Sequence, residues 1–398
     1  MLAQLLLGLT VASALLAFLL HFLALHGWRR SVGAHWSERA RALYPAYAGA
    51  RLYFWLFPLV LVVLRRTYWP QWPDSFLEYF AVILGTTAAT WPLRRAVSPD
   101  LSFGLWCRET LLSLTMTSFR LALFVWVVCS MPVPFEASAL AYAAIYVVYD
   151  LWVAFGGLLR WFRTWGLIRD APERLHRLAA EVCAEMKVPL PKVWAFTSTT
   201  SNAYAVFWER ALLFADSTLA HLNDAQLKGV IAHELAHLDE SRSTRFLRLA
   251  GLLATWPWLF LIPLLNAYGP AGFTGLAVWT WLVRWQSVTL SRRMEHRADR
   301  CAIEHSPEEK AAYAQALATL HEVNFAPAVI GTRRASHPDL YDRMLAAGVT
   351  PDFPRPEAPT RFSLLMLVVA LGSGIVLGPH LTNYLDAMDR KHHFRHRR

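Results

Sequence analysis

The hydrophobic and polar positions of the chain form long apolar runs on either side of a polar stretch near the middle. A helix needs about 20 apolar residues to cross the hydrocarbon core of a bilayer, and several runs come close to that length. The pattern therefore predicts an α-helical polytopic membrane protein with about seven or eight spanning segments. The predicted segments are residues 2–25, 52–64, 79–93, 111–131, 137–159, 249–265, 271–290 and 362–377.

Three of these segments leave the number of crossings open. Residues 52–64 and 79–93 are short for a full crossing, so each is either tilted in the bilayer or only partly inserted. Residues 362–377 precede a basic tail, and a full crossing would put that tail outside, against the tendency of Lys and Arg to stay inside. That last run is therefore either re-entrant, or one earlier crossing is miscounted.

The polar stretch from about residue 165 to 245 predicts a small α+β unit outside the hydrocarbon. Residues 171–186 have the apolar spacing of an amphipathic helix, and short strands are predicted at residues 192–196, 204–208 and 211–214. The strand that follows Asn202 offers a candidate binding edge at Asn202, Ala203 and Tyr204. An exposed edge can pair with the backbone of an extended peptide, although an ordinary sheet strand gives the same pattern.

A helix is predicted to begin after Asn223. Asn223 is a favourable N-cap, and Gln226 stands three residues later, as a capping box requires. Leu227, Val230 and Ile231 then recur at helical spacing. The residues that follow in this helix are therefore held on a rigid element.

This helix carries the sequence His233-Glu234-Leu235-Ala236-His237. Two histidines four residues apart project from the same helical face, as two ligands of one tetrahedral Zn²⁺ must. Glu234 then lies beside the metal, where it can take a proton from a water molecule and pass it to a leaving amine. The pattern is short enough to arise by coincidence, so a third ligand is needed to support it.

Glu295 is the candidate third ligand. Glu295 and Asp299 are four residues apart, so on a helix both carboxylates project from one face, whereas His296 points about 100° away. Glu295 can then bind the metal while Asp299 accepts a hydrogen bond from a metal-binding histidine. The predicted hairpin at residues 246–290 would return Glu295 to the side of the membrane where His233 and His237 lie.

The order of the motifs resembles that of the HtpX and CAAX-prenyl-protease family of membrane-embedded zinc metalloendopeptidases. The resemblance covers roughly residues 174–348, with Ala236 where members often have Gly and Ser201 where they often have Pro. The motifs that carry it are Ser201-Asn202-Ala203-Tyr204-Ala205, His233-Glu234-Leu235-Ala236-His237, Ser291-Arg292-Arg293-Met294-Glu295-His296-Arg297-Ala298-Asp299 and Ser336-His337-Pro338-Asp339-Leu340-Tyr341-Asp342-Arg343.

The resemblance implies that His337 and Arg343 line the active site. His337 would then be a hydrogen-bond donor to the oxyanion, and Arg343 would anchor the loop of His337 or a substrate carbonyl. Locally, Ser336 or His337 is predicted to cap a short helix with Pro338 in its first turn. A plain helix start with a surface arginine remains the alternative for this segment.

The chain divides into five predicted parts on this basis. They are an N-terminal membrane bundle at 1–163, a catalytic region with the zinc helix at 164–245, a membrane hairpin at 246–290, a catalytic region with the third ligand at 291–361, and an apolar segment with a basic tail at 362–398.

Composition and charge agree with a membrane protein. Hydrophobic residues make up 55% of the 398 residues and charged residues only 17%, and the formal net charge is +10. This excess favours contact with anionic lipid headgroups, and no nucleic acid is expected as a partner, because no interleaved basic and aromatic binding module accompanies the charge. The four cysteines have no paired spacing, which is typical of reduced thiols.

The distribution of arginines predicts that the catalytic region faces the cytoplasm. The loops after the first and third segments carry several arginines, whereas residues 132–136, after the fourth, carry none. Arg65 and Arg66 lie on the opposite face and do not fit this pattern. Five crossings from an outside N-terminus bring His233 to the cytoplasmic side.

The sequence therefore favours a zinc-dependent endopeptidase that acts on a protein or peptide substrate, in quality control of membrane or misfolded proteins. A CAAX-type processing protease and a non-catalytic membrane sensor with a protease-like domain are the alternatives. A transporter that uses charges within the membrane is weakened, because no inverted repeat is evident.

Overall fold

The computed structural model describes residues 2–68, 76–133, 135–305, 310–331 and 338–359. The predicted apolar segment at 362–377, the basic tail, Ser336 and His337 lie outside these residues. The described residues form two units, one within residues 2–29 and 45–130 and the other within residues 30–44 and 131–359.

Within residues 2–130 the described structure is helical. The helices are α1 (Leu2–Ala24), α2 (His26–Arg30), α3 (Trp36–Tyr68), α4 (Phe76–Ala88), α5 (Thr90–Val97), α6 (Phe103–Ser113) and α7 (Phe119–Ser130), with a π-helical turn at Leu114–Ser118.

Residues 131–359 add ten helices to a small sheet in the described part of the chain. The helices are α8 (Ala137–Ala154), α9 (Gly157–Thr164), α10 (Glu173–Met186), α11 (Asp216–His221), α12 (Asp224–Leu238), α13 (Arg242–Leu249), α14 (Leu261–Tyr268), α15 (Pro270–Glu304), α16 (Lys310–Val323) and α17 (Leu340–Ala346). The strands are β1 (Ile168–Asp170), β2 (Lys192–Phe196), β3 (Ala203–Val206) and β4 (Ala211–Ala215), and 3-10 turns at Ala250–Ala254 and Trp256–Phe260 join α13 to α14.

Four helical segments of the described chain are long and apolar enough to cross a membrane, and they identify a membrane protein with a small sheet-containing domain. The predicted count of seven or eight crossings and the cytoplasmic side stay predictions. Helix α15 is one continuous helix of 35 residues. The predicted segment at 271–290 forms its first part, and Glu295 lies in its second part. The four segments are Ala3–Arg30, Phe103–Ser130, Ala137–Ala154 and Arg242–Tyr268.

The first unit is held together by close packing of α1 on α4. At Gly85 an added Cβ would lie 2.1 Å from the backbone oxygen of Thr10, so only glycine allows the two helices to approach this closely. Leu20, Tyr79 and Ile83 fill the core of the same unit. This packing stabilises a helical bundle, and the predicted membrane region at 1–163 stays a prediction.

The sheet of the second unit has the order β1-β2-β4-β3. Strands β2 and β4 are parallel, and the other two pairs are antiparallel. The prediction of β2 is correct, and β4 ends one residue later than predicted. The prediction of residues 204–208 as a strand is wrong at its end, because residues 207–210 form the turn to β4, with Arg210 at a φ of +45°. Strand β1 was not predicted, since three residues with one buried side chain leave no alternation to recognise.

The predicted capping box of α12 is confirmed. The Asn223 side chain accepts a hydrogen bond from the Gln226 amide at 2.9 Å, and the Gln226 side chain accepts one from the Asn223 amide at 3.0 Å. Leu227, Val230 and Ile231 are buried in the core of the unit, where α12 packs against α10, α15, α16 and the sheet. Helix α12 is therefore enclosed by other elements, and its histidines lie in the protein interior.

The predicted start of the helix near Pro338 is wrong by two residues. Helix α17 begins at Leu340, with Asp339 in an extended conformation at its N-cap. The Asp339 carboxylate accepts a hydrogen bond from the backbone amide of Ile330 at 2.9 Å and does not cap the helix. Pro338 thus precedes the helix, because Asp339 ties this end of the chain to residue 330.

Candidate metal centre

Three side chains from two helices converge at one point in the second unit. His233 and His237 on α12 and Glu295 on α15 offer atoms that lie within 4.8 Å of one another, and all three residues are at most 8% exposed. The two Nε2 atoms are 3.3 Å apart. The Glu295 oxygens lie 3.6 Å from the His233 Nε2 and 3.5 Å from the His237 Nε2. The exposed His296 does not belong to this group.

The hydrogen bonds around His233 fix the position of its proton. Arg343 donates hydrogen bonds to Asp299 at 2.6 and 2.9 Å and to the Tyr313 hydroxyl oxygen at 3.0 Å. Since Tyr313 donates its single proton to Asp299 at 2.6 Å, the Nδ1 of His233, 2.9 Å from the hydroxyl oxygen, must itself carry a proton. The same nitrogen is 3.2 Å from Asp299. The Nε2 of His233 faces Glu295, and in the neutral imidazole this nitrogen carries the free lone pair.

Asp299 remains ionised in this arrangement. Burial raises the pKa of its carboxyl, but the hydrogen bond with His233 and the charge and hydrogen bonds of Arg343 lower the pKa by more, to well below the usual range. Burial also raises the pKa of Tyr313 well above its usual value, so the tyrosine keeps its proton.

Tyr313 reaches His233 because α16 lies unusually close to α12. A Cβ added to Gly229, one turn before His233, would lie 3.0 Å from the Cβ of Tyr313. Such contacts are tighter than most side chains tolerate, so glycine at this position favours the close approach. Tyr313 belongs to the site, yet sequence reasoning did not identify it, since it lies in an alanine-rich helix without a motif.

The ring of His237 is also in contact with a carboxylate. Glu240 lies just beyond the end of α12, and one of its oxygens is 3.0 Å from the Nδ1 of His237. Glu240 is 3% exposed and accepts a hydrogen bond from Arg248 of α13. Because a carboxylate only accepts, the Nδ1 of His237 donates, so in the neutral imidazole its Nε2 carries the lone pair that can bind a metal. Sequence reasoning missed Glu240, because it lies past the end of α12, where helical periodicity no longer places a side chain.

The charges around His237 favour a cation at this point. Burial lowers the pKa of His237, but the hydrogen bond to Glu240 and the negative charges of Glu234 and Glu295 raise it by more. A raised pKa means that these surroundings stabilise a positive charge at His237, whether that charge is a proton or a metal ion. The three groups can therefore hold a metal ion.

Glu234 lies beside these groups. It is 9% exposed, and it accepts a hydrogen bond from the backbone of Ala205 in β3. Burial raises the pKa of its carboxyl, His233 and His237 lower it, and the net shift is upward. A carboxylate whose pKa is raised is a stronger base once ionised, as proton transfer from a water molecule requires.

A cavity of about 390 Å³ opens onto the three converging groups and Glu234. The predicted substrate-binding residues Asn202, Ala203 and Tyr204 line it. Strand β3, which contains the last two, is an edge strand of the sheet in the described structure. Asn324 of the segment after α16 holds the preceding Ser201 by two hydrogen bonds, of 2.8 and 2.7 Å.

The motif around residue 337 is only partly described. Arg343 lines the cavity, and its guanidinium group contacts Asp299 and Tyr313. His337 lies outside the described residues. The structure thus brings together Glu234, His233, His237, Glu295, Asp299 and Arg343 of the predicted site, and adds Tyr313, Glu240 and Arg248.

Comparison with known proteins agrees with the motifs. Residues 170–348 match the model of peptidase family M48. The chain is also similar to the protease HtpX homolog of Thermococcus sibiricus, with 26% identity over 157 residues, or 39% of this chain and 52% of the relative. It is 28% identical over 109 residues to the protease HtpX homolog of Pyrococcus furiosus, which is 27% of this chain and 37% of the relative. It is 29% identical over 108 residues to the protease HtpX homolog of Caldanaerobacter subterraneus, which is 25% of this chain and 36% of the relative.

These matches confirm the resemblance that the motifs indicate. The chain spans about half the length, or less, of the curated relatives that it matches. The similarity therefore covers the region of the candidate metal centre and leaves most of the apolar segments outside it.

Proposed function

We propose that this chain, an HtpX-like protein with an M48 peptidase region at residues 170–348, is a membrane-bound zinc-dependent endopeptidase. One observation carries the proposal. The Nε2 atoms of His233 and His237 and the carboxylate of Glu295 face one another at 3.3 to 3.6 Å.

These separations fit Zn²⁺. A tetrahedral ion about 2.0–2.1 Å from nitrogen and oxygen ligands holds those ligand atoms about 3.3–3.4 Å apart. Two imidazoles and one carboxylate are also the ligand set of a catalytic zinc site, which keeps a fourth position open. His233, His237 and Glu295 would hold the ion.

A bound zinc ion would lower the pKa of a coordinated water molecule to about 7 and polarise the carbonyl of the scissile bond. Glu234 would accept the proton of the attacking water and then donate it to the leaving amine. Its hydrogen bond from Ala205 holds the carboxylate between the zinc ligands and the edge strand. A peptide bound along that strand would therefore present its carbonyl next to the base.

Two ion pairs would keep the histidines in the orientation that metal binding needs. Asp299, held by Arg343, fixes the ring of His233, and Glu240, held by Arg248, fixes the ring of His237. Arg343 would thus act by positioning Asp299, which differs from the expected contact with the loop of His337 or a substrate carbonyl. His337 remains the proposed donor to the oxyanion, on the strength of the motif alone.

Replacing Glu240 by glutamine is expected to weaken zinc binding by about 10-fold or more, because the negative charge that orients His237 is lost. Asp239→Asn is the matched control, since Asp239 is the adjacent residue and its side chain is 68% exposed. Competition with a zinc-sensitive fluorescent chelator measures both affinities. Equal zinc affinities for the two variants would show that Glu240 does not support the site.

The substrate is proposed to be an extended or unfolded segment of a membrane or misfolded protein. Strand β3 borders the cavity at an edge of the sheet, and its Tyr204 side chain is 46% exposed. Pairing with such an edge uses backbone hydrogen bonds and needs no particular side chains in the substrate. A role in proteolytic quality control follows from this low selectivity.

Removal of the metal tests the proposed function directly. The purified full chain should hydrolyse casein, lose this activity in 1,10-phenanthroline, and regain it when zinc is added back. Persistent hydrolysis in the chelator, with zinc shown to be absent by elemental analysis, would exclude a zinc-dependent mechanism.

The catalytic region is proposed to face the cytoplasm. A single reporter cysteine at the exposed Glu185 should stay unlabelled by an impermeant maleimide in intact cells and react after permeabilisation. A cysteine at Glu136, before α8, should react in intact cells, because the candidate span Ala137–Ala154 separates the two positions. The reverse labelling pattern would overturn the predicted topology. The native cysteines to be replaced first are Cys107, Cys129, Cys183 and Cys301.

A further inference from the structure

A second cavity, of about 480 Å³, lies in the catalytic unit apart from the metal centre. Basic side chains from two elements line it, namely Arg160 and Arg163 of α9 and Lys192 of β2. None of these residues lines the cavity of the metal centre. The mechanism proposed above makes no use of them.

The cavity lies at the end of a candidate membrane span. Helix α8, the span Ala137–Ala154, is followed directly by Phe155, whose carbonyl accepts a hydrogen bond from Arg160 at 3.3 Å. Trp208, in the turn between β3 and β4, packs against the ring of Phe155 with centroids 4.6 Å apart. Arg160 therefore lies next to the end of the candidate span, where such a span would meet the headgroups.

Two exposed tryptophans follow Arg160 in the chain. Trp161 and Trp165 are 42% and 68% exposed, although Leu158 and Phe162 of the same short helix are buried. Indole rings are favoured at the boundary between hydrocarbon and headgroups, where one part of the ring is apolar and the N–H stays wet. The exposed face of α9 thus has the composition of a segment that rests in the bilayer interface.

The charges in the cavity are not fully balanced among the described residues that line it. Glu209 binds Arg160 at 3.0 Å and Lys192 at 3.1 Å, and Asp170 binds Arg163 at 2.9 Å. Three cations thus face two carboxylates.

The three cations also retain hydrogen-bond donors for a ligand. A guanidinium group has five N–H donors and an ammonium group has three, so these bonds use only part of the donors. The side chains of Arg160, Arg163 and Lys192 are 59%, 42% and 56% exposed and can turn toward a ligand. An anion with several oxygens fits this arrangement.

We propose that this cavity binds the phosphate of an anionic phospholipid headgroup. The phosphate oxygens would accept hydrogen bonds from Arg163 and Lys192, and the acyl chains would lie along α8 below Trp161. Glu209 competes with the phosphate for Arg160 and Lys192, so it limits the affinity. The proposal does not depend on the peptidase activity.

Native mass spectrometry of the delipidated full chain in detergent tests the proposal, with dioleoyl phosphatidylglycerol and dioleoyl phosphatidylcholine as probes. Replacing both Arg163 and Lys192 by glutamine should weaken binding of the anionic lipid by about 30-fold, at about fivefold for each cation near an anionic lipid surface. Arg169→Gln is the matched control, because Arg169 is 48% exposed and also paired with a carboxylate, yet lies outside the cavity. Its affinity for the anionic lipid should stay within about twofold of the wild-type value.

Glu209→Gln gives an independent test with the opposite sign. It should strengthen binding of phosphatidylglycerol, because Arg160 and Lys192 lose their competing carboxylate. The expectation for Glu209→Gln does not depend on whether the double variant folds. A thermal unfolding measurement shows whether the double variant is folded.

Three results would overturn the proposal. The first is unchanged binding of the anionic lipid in both the double variant and Glu209→Gln. The second is full displacement of the lipid by an equal concentration of glycerol 3-phosphate, which would mark a site for a free phosphate. The third is displacement by a short polyglutamate peptide at the same concentration, which would mark a site for an acidic protein segment.

Discussion

Glu234→Gln is expected to abolish measurable peptide hydrolysis while the protein keeps its zinc. Glutamine has the size of glutamate and cannot accept the proton of the attacking water, so the loss should be at least the roughly 10²- to 10⁴-fold that a positioned acid–base group contributes. Glu234 is not one of the three converging groups, which lie on His233, His237 and Glu295. Casein hydrolysis and elemental analysis on the same detergent-purified sample measure both quantities.

Glu185→Gln serves as the control for this experiment. Glu185 is exposed on α10 and takes no part in the cavity at the metal centre, so its variant should hydrolyse casein at the wild-type rate. Wild-type hydrolysis by Glu234→Gln would exclude Glu234 as the base. Loss of zinc together with activity would instead show that Glu234 supports the metal.

Glu295→Ala is expected to lose zinc almost completely, whereas His296→Ala keeps it. The carboxylate of Glu295 lies within 3.6 Å of the Nε2 atoms of both histidines, whereas the adjacent His296 is exposed. The loss should exceed the roughly 10- to 100-fold that follows removal of a group that only orients a ligand. Zinc affinity, measured with a competing chelator, compares the two adjacent variants.

Asp299→Ala should fall between these two variants. Its carboxylate orients His233 and pairs with Arg343, so its removal should lower the zinc affinity by about 10- to 100-fold. If His296→Ala released the metal and Glu295→Ala did not, the proposed ligand set would be wrong.

Local signals in the sequence were sufficient to predict the metal helix. Asn223 and Gln226 form their capping box within four residues, and the spacing of His233 and His237 fixes their common face whatever surrounds the helix. Glu295 could also be predicted from the sequence, because Glu295 and Asp299 are four residues apart, the same spacing as His233 and His237. These predictions depend on contacts within one helix.

The supporting residues depend on contacts between helices, which the sequence does not reveal. Tyr313 meets His233 only because Gly229 lets α16 approach α12, and Arg343 reaches Asp299 from a helix 44 residues away in sequence. Glu240 lies past the end of α12, so helical periodicity does not place it. Strand β3 was predicted too long, since its last two residues were apolar but belong to the turn.

The ligand set of the metal is the central claim, and X-ray absorption at the zinc edge measures it most directly. The purified wild-type chain is expected to hold one zinc per chain, with nitrogen and oxygen neighbours at about 2.0–2.1 Å and the outer-shell scattering of two imidazoles. Glu295→Ala should remove the bound zinc, while His296→Ala should give the wild-type spectrum. A sulfur neighbour at about 2.3 Å, or a single imidazole, would contradict a site built from His233, His237 and Glu295.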